Sequence, residues 1–505
     1  MEHTPTTAPP RSLRGRVLGG LAWTGGSEVV MQVVRIVAAV ALARLLAPEA
    51  YGLAAIALIF SSLVLVFSDL AFGAAIVQRK NLTELDRCSA FWISVGAGLL
   101  FTVVGIALAG PVARFYDQPD VAPLCAVLSL SFLITSLATT HEALLLRAMQ
   151  YAKLERRMMV ATLAAAAVGI LVGVMTHAAW AIIAQQLTQA TVSCALLWWY
   201  SDWRPGFRVS RESLRHLWGF SGPLVGHRLL FYVHRNADNI LIGRYVGVAA
   251  LGAYSLAYNI MLAPMSRIAG PVQRVLGPVL ARMQDEPERI AIAWIRVVRL
   301  LAMIAVPALA GLVVVAPDFV HVVLGDRWSE AIPLIQILAW VGLLQALQSI
   351  NADILQARGN TGTILRYSIV FTTIHIAGFI VGLHWGVIGV AVAYAITTTC
   401  IEPWFTWLTA RSIGISPWRL VRGLRGVFEA GLIMAGGVLA MRALLVHLGI
   451  ATEARFGGVV LFGVVLFGLA SWWRAPDAWA DLRGILADVR ARRTGVPEAA
   501  SPATA

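Results

Sequence analysis

Charge is scarce in this chain and lysine is almost missing. Only 13% of the 505 residues are charged while 58% are hydrophobic, and the mean hydropathy is +0.75. Soluble domains carry roughly 25% charged residues, so a water-soluble enzyme or binding module is excluded. No polar stretch is long enough to hold a soluble domain. Cysteine is also rare: Cys88, Cys125, Cys194 and Cys400 lie in or beside different apolar runs without metal-ligand spacing, so packing explains them better than a disulfide framework or zinc site. The sequence has no Gly-rich lysine loop, zinc motif or sugar-nucleotide acidic motif, so no cofactor is expected.

What is present is a series of apolar runs of about 20 residues, each long enough to cross roughly 30 Å of hydrocarbon as a helix. Fourteen spans are expected, at about 17–43, 52–77, 89–110, 121–141, 158–176, 179–200, 217–242, 250–272, 294–316, 331–352, 364–383, 386–409, 426–448 and 456–473. The fold class is therefore an all-α polytopic membrane protein. The net charge of +13 gathers in alternate loops, which is the positive-inside pattern and no sign of nucleic-acid binding. Placing both termini in the cytoplasm puts 30 of the 40 basic residues inside and six outside. All but Lys80 and Lys153 are arginine, a bias that suits a GC-rich genome. The basic N-terminus reads as a retained cytoplasmic tail. In the C-terminal tail, Trp479, Leu482, Leu486 and Val489 fall at helical spacing with arginines largely opposite, predicting an interfacial helix. The pairs Trp198/Trp199 and Trp472/Trp473 read as interfacial anchors.

The chain repeats. Residues 19–58 align without a gap on 219–258, with Gly19/Gly219, Gly26/Gly226, Val33/Val233, Arg35/Arg235, Arg44/Arg244, Ala50/Ala250, Gly52/Gly252 and Ala57/Ala257 identical. A displacement of six spans preserves orientation, so two six-helix lobes are expected about an axis along the membrane normal. The layout is a tail over 1–16, an N-lobe over 17–200, a linker over 201–216, a C-lobe over 217–410, a loop with spans 13 and 14 over 411–474, and a tail over 475–505.

Polar residues sit where the bilayer disfavours them. In span 1, Glu28, Gln32 and Arg35 follow i, i+4, i+7 and share a helical face. Their repeat partners are Arg228, Tyr232 and Arg235, extended by Asn239. Asp69, His234, Asp238 and Arg267 complete the set. A mid-bilayer charge costs roughly 2.5–3.5 kcal/mol, so these arginines are expected to face protein or water. The arrangement predicts two polar ladders across a hydrated cationic cavity. Arg35, Arg228, Arg235 and Arg267 are candidate binders of a phosphate or pyrophosphate, which suits the guanidinium fork. Glu28, Asp69, His234 and Asp238 are candidate ion carriers. The structural alternative is a local Arg235–Asp238 pair together with a Glu28–Arg228 bond.

"ARLLAPEAYGLAAIAL" at 43–58, "FSDLAFGAAIVQRK" at 67–80 and "NILIGRYVGVAALGAYSLAYNI" at 239–260 resemble the Wzx-type polysaccharide flippases, in the branch handling colanic-acid-like and xanthan-like polymers. These belong to the multidrug/oligosaccharidyl-lipid/polysaccharide exporter superfamily. The resemblance implies translocation of undecaprenyl-pyrophosphate-linked oligosaccharide repeat units from the cytoplasmic to the periplasmic leaflet of a bacterial inner membrane, by alternating access. By position it places cavity roles on Arg35, Arg235, Arg267 and Arg228, flanked by Gln32, Tyr232 and Asn239. It implies membrane lipid as a partner, with a polymerase and export machinery nearby. Two transport alternatives are a lipid II-type flippase, which the linker motifs disfavour, and a multidrug exporter, which would want an acidic cavity. The alternative from another class is a membrane oligosaccharide polymerase or ligase, which would need a large outside loop; the longest here, around 317–330, is short.

Overall fold

The computed structural model describes residues 13–68, 76, 82–207 and 232–494. Helices dominate, and no strand occurs among the described residues. In chain order they are α1 (Leu13–Leu45), α2 (Pro48–Ser68), α3 (Glu84–Tyr116), α4 (Val121–Arg147), α5 (Tyr151–Thr176), α6 (Trp180–Tyr200), α7 (232–245) and α8 (Val248–Arg282). Then come α9 (Pro287–Phe319), α10 (Ala331–Gln348), α11 (Thr361–Gly382), α12 (Gly386–Ser412), α13 (Pro417–His447), α14 (Thr452–Arg474) and α15 (Pro476–Thr494). Thus α1 to α14 follow the fourteen expected spans in order, with residues 69–75 and 77 of the second span and 217–231 of the seventh lying outside the described residues. Eight described segments are long and apolar enough to cross a membrane, one being the α11–α12 hairpin. The chain is a multi-pass membrane protein.

Local sequence explains the helix ends. At α3, Thr83 and Asp86 form a capping box: the Asp86 N–H donates to Thr83 Oγ1 at 3.2 Å and the Thr83 N–H to Asp86 Oδ2 at 3.0 Å, satisfying two orphan donors. Between α11 and α12, Gly386 adopts φ +68°, a conformation open to glycine at little cost.

Two compact units partition the chain, Met1–Gly252 and Ala253–Ala505. The first runs through α7 into the start of α8. Within it, α3 and α4 meet through small residues, since apolar surface alone cannot drive helix pairing in lipid. A Cβ on Gly98 would stand 2.2 Å from Ser136 Oγ, and one on Gly105 2.3 Å from Ser129 Oγ. The second unit has a continuous core drawn chiefly from α9, α10, α13 and α14, with Trp294 fully buried at its centre.

The repeat has a physical counterpart at the crossing of α2 with α8. Gly52 lies against the backbone carbonyl of Val248, and Gly252 against that of Pro48. Positions 48/248 and 52/252 are repeat partners, so the contact is reciprocal.

α15 forms as expected but is clamped to protein by its acidic face. Asp481 bonds Arg296 of α9 at 2.6 Å and lies 3.1 Å from Arg299, which also pairs with Asp477 at 3.1 Å. Trp479 is half-buried and donates to Ser471 Oγ at 3.2 Å.

Candidate functional site

On α1, Glu28, Gln32 and Arg35 stand on one face, and the i, i+7 spacing delivers an ion pair: Arg35 Nη1 is 3.5 Å from Glu28 Oε1. Both side chains remain about half exposed, so the pair leaves Arg35 open to a further anion. Gln32, one turn above Glu28, is half-buried.

On α7 the polar residues divide. Arg235 is exposed and forms no ion pair among the described residues. Tyr232 is buried and its hydroxyl donates to the Ile59 carbonyl of α2 at 3.1 Å. Asp238 and Asn239 are buried too; the Asn239 backbone N–H and side-chain amide donate to Asp238 Oδ1 at 2.7 and 3.0 Å. The local Arg235–Asp238 pair weighed from sequence does not form. His234 is half-buried between these two faces. Arg267 belongs to α8, but its side chain is not among those described. Arg228 and Asp69 lie outside the described residues. The structure therefore brings Glu28, Gln32 and Arg35 together on α1, and separates an exposed Arg235 from its buried neighbours on α7.

Two polar constellations went unnoticed in the sequence. In the second unit, Glu402 of α12 is buried and accepts from the Tyr367 hydroxyl of α11 at 3.3 Å. Beside it Gln348 donates to the Glu402 carbonyl at 3.2 Å and to Thr406 Oγ1 at 2.6 Å. His375 joins α11 to Thr398 at 3.1 Å. The signal was available: Glu402 is a carboxylate inside an apolar run, a functional candidate by default. At the opposite end of α9 from its start at Pro287, Asp318 is 2% exposed and bonded by Arg442 of α13 and Arg455 of α14, each at 2.6 Å.

The tryptophan pairs also behave differently from one another. Trp472 and Trp473 are exposed, as anchors require, and Trp199 is 82% exposed. Trp198 turns inward instead: its indole donates to the Leu137 carbonyl at 3.0 Å and its ring lies 4.6 Å from that of His141. Phe91 and Trp203 complete this aromatic cluster. It ties the segment after α6 to α3, where Trp203 Nε1 donates to Glu84 Oε1 at 2.5 Å.

These helices define an all-α multi-pass membrane protein. Its fold is similar to that of the lipid II flippase MurJ in an inward closed conformation, with a TM-score of 0.71 over 90% of this chain and 99% of that one at 14% identity. The chain belongs to the family described as polysaccharide biosynthesis protein, which it matches over residues 41–333. Among curated relatives, it is 27% identical to the lipopolysaccharide biosynthesis protein WzxC of Escherichia coli K12, covering 76% of this chain and 78% of that protein. It is 26% identical to the teichuronic acid biosynthesis protein TuaB of Bacillus subtilis 168, covering 90% and 95%. The Wzx-type resemblance carried by the linker motifs is thus borne out.

Proposed function

We propose that this protein translocates undecaprenyl-pyrophosphate-linked oligosaccharide repeat units from the cytoplasmic to the periplasmic leaflet of a bacterial inner membrane, by alternating access and without covalent chemistry. Both termini are cytoplasmic in this reading. Arg35, Arg235, Arg267 and Arg228 engage the pyrophosphate through charge-assisted hydrogen bonds, with Gln32, Tyr232 and Asn239 shaping the surrounding wall. Glu28, Asp69, His234 and Asp238 are the candidates for ion coupling.

The observation that carries the reading is the repeat-matched pair Arg35 and Arg235. Both are exposed, Arg35 on α1 and Arg235 on α7, inside runs read as membrane spans, where an unused cation would be costly, and Arg35 keeps that exposure although Glu28 is beside it. Support for the substrate class comes from the polysaccharide biosynthesis family and from relatives named for lipopolysaccharide and teichuronic acid synthesis.

The test is complementation of exopolysaccharide production in a flippase-null strain by Arg35→Ala, Arg235→Ala and Arg267→Ala variants, with Arg→Lys controls and membrane levels by immunoblot. The expected result is loss of polymer at normal protein level, with lipid-linked units accumulating at the inner face. Full activity in all three alanine variants would remove the arginines from the pathway.

A further inference from the structure

At one end of the second unit, the α12–α13 turn and the first turns of α9 and α13 line an open surface cavity of about 460 Å³. A water molecule's share of the liquid is roughly 30 Å³, so this space accommodates a hydrated headgroup. Its charged lining is Glu288, Arg419 and Arg422.

These groups are not equivalent. Arg419 holds Glu288 with two parallel hydrogen bonds, Nη1 to Oε2 at 3.0 Å and Nη2 to Oε1 at 2.6 Å. That fork neutralises both partners. Arg422 lies one turn further along α13, is exposed, and has no ion pair or hydrogen bond among the described residues. The lining therefore carries one uncompensated positive charge. Ser416 also lines the cavity and does not cap α13 with its side chain, so the positive end of that helix opens on the same space. Next to it, Trp418 is 67% exposed, and Arg411 stacks over Trp407 with its guanidinium 5.2 Å from the ring centroid. Tryptophan with arginine is the composition of a headgroup layer.

We propose that this cavity binds the phosphate of an anionic phospholipid such as phosphatidylglycerol. Arg422 supplies the charge, and the Arg419–Glu288 fork acts as a gate on its strength. Its lining includes no arginine of α1 or α7, and binding there does not depend on what those carry.

Native mass spectrometry of the full-length protein in detergent tests it, with phosphatidylglycerol, phosphatidylcholine or inorganic phosphate as the added probe. The wild type is expected to retain phosphatidylglycerol over phosphatidylcholine. Arg422→Gln should weaken that retention roughly tenfold, the scale of one charge-assisted contact. Glu288→Gln should strengthen it, because it removes the one negative group from the lining. The opposite signs separate a binding effect from a folding one, and size-exclusion profiles check both variants. Displacement of the lipid by millimolar inorganic phosphate, sensitive to Arg422→Gln, would keep the phosphate site but assign its ligand to solution. Equal retention of both lipids, or retention unchanged in both variants, would overturn the proposal.

Discussion

Gly52 and Gly252 stand 200 residues apart in the chain and close on one helix crossing: a Cβ on Gly52 would lie 1.9 Å from the Val248 carbonyl oxygen, and one on Gly252 1.9 Å from that of Pro48. Backbone, unlike the end of a flexible side chain, cannot step aside. Gly52→Ala and Gly252→Ala are each expected to destabilise by about 3 kcal/mol or more, the upper range for overpacking. Thermal unfolding in detergent should show similar losses for the two, because the contact is reciprocal. A midpoint unchanged in either variant would mean that the two helices separate freely.

Asp318 holds two arginines, and the asymmetry of that triad sets an order of effects. Its carboxylate is 2% exposed, while Arg455 and Arg442 are 14% and 26% exposed. Removing the shared carboxylate strands two cations, whereas removing one arginine leaves the other pair intact. Asp318→Ala is expected to cost roughly 3–5 kcal/mol, with Arg442→Gln the mildest because water reaches it best. Equal losses among Asp318→Ala, Arg442→Gln and Arg455→Gln in the same unfolding assay would contradict this.

The helices were readable because a bilayer demands long apolar runs with satisfied backbones, so each span announces itself. The Arg35–Glu28 stack followed from helical periodicity alone. Tyr232 was a different matter: spacing put it on a stripe with Arg235, yet its hydroxyl is committed to Ile59 of α2. Which face of α7 packs depends on neighbours that no local pattern encodes. Trp198 misled in the same way, since an aromatic at a span end serves equally as an anchor or as a core residue. The Asp318 triad joins positions more than a hundred residues apart, and spacing carries no trace of it.

α15 depends on two aspartates for its place. Asp481 meets both Arg296 and Arg299 of α9, and Ala478 beside it is fully buried. Asp481→Ala should therefore free the helix without unfolding the spans. Hydrogen exchange over 476–494 is expected to rise in that variant while α9 keeps its protection. Unchanged exchange in the tail would mean that apolar contacts alone hold it.

Glu402 and Tyr367 make the last case, because each is buried and the hydroxyl at 3.3 Å is the carboxylate's side-chain donor. Glu402→Ala would leave the buried Tyr367 hydroxyl with a lost acceptor, a penalty of about 1–3 kcal/mol. Glu402→Gln keeps an acceptor oxygen at nearly the same volume, so it should lose less. Tyr367→Phe keeps the ring that stacks on Phe405, whose centroid is 3.9 Å away, and removes only the donor. The expected order of unfolding midpoints in detergent is wild type, then Glu402→Gln, then Glu402→Ala. Tyr367→Phe combined with Glu402→Ala should be less damaging than the sum of the two single changes, since both delete the same bond. Strict additivity would show that the hydroxyl and carboxylate are energetically independent despite their proximity.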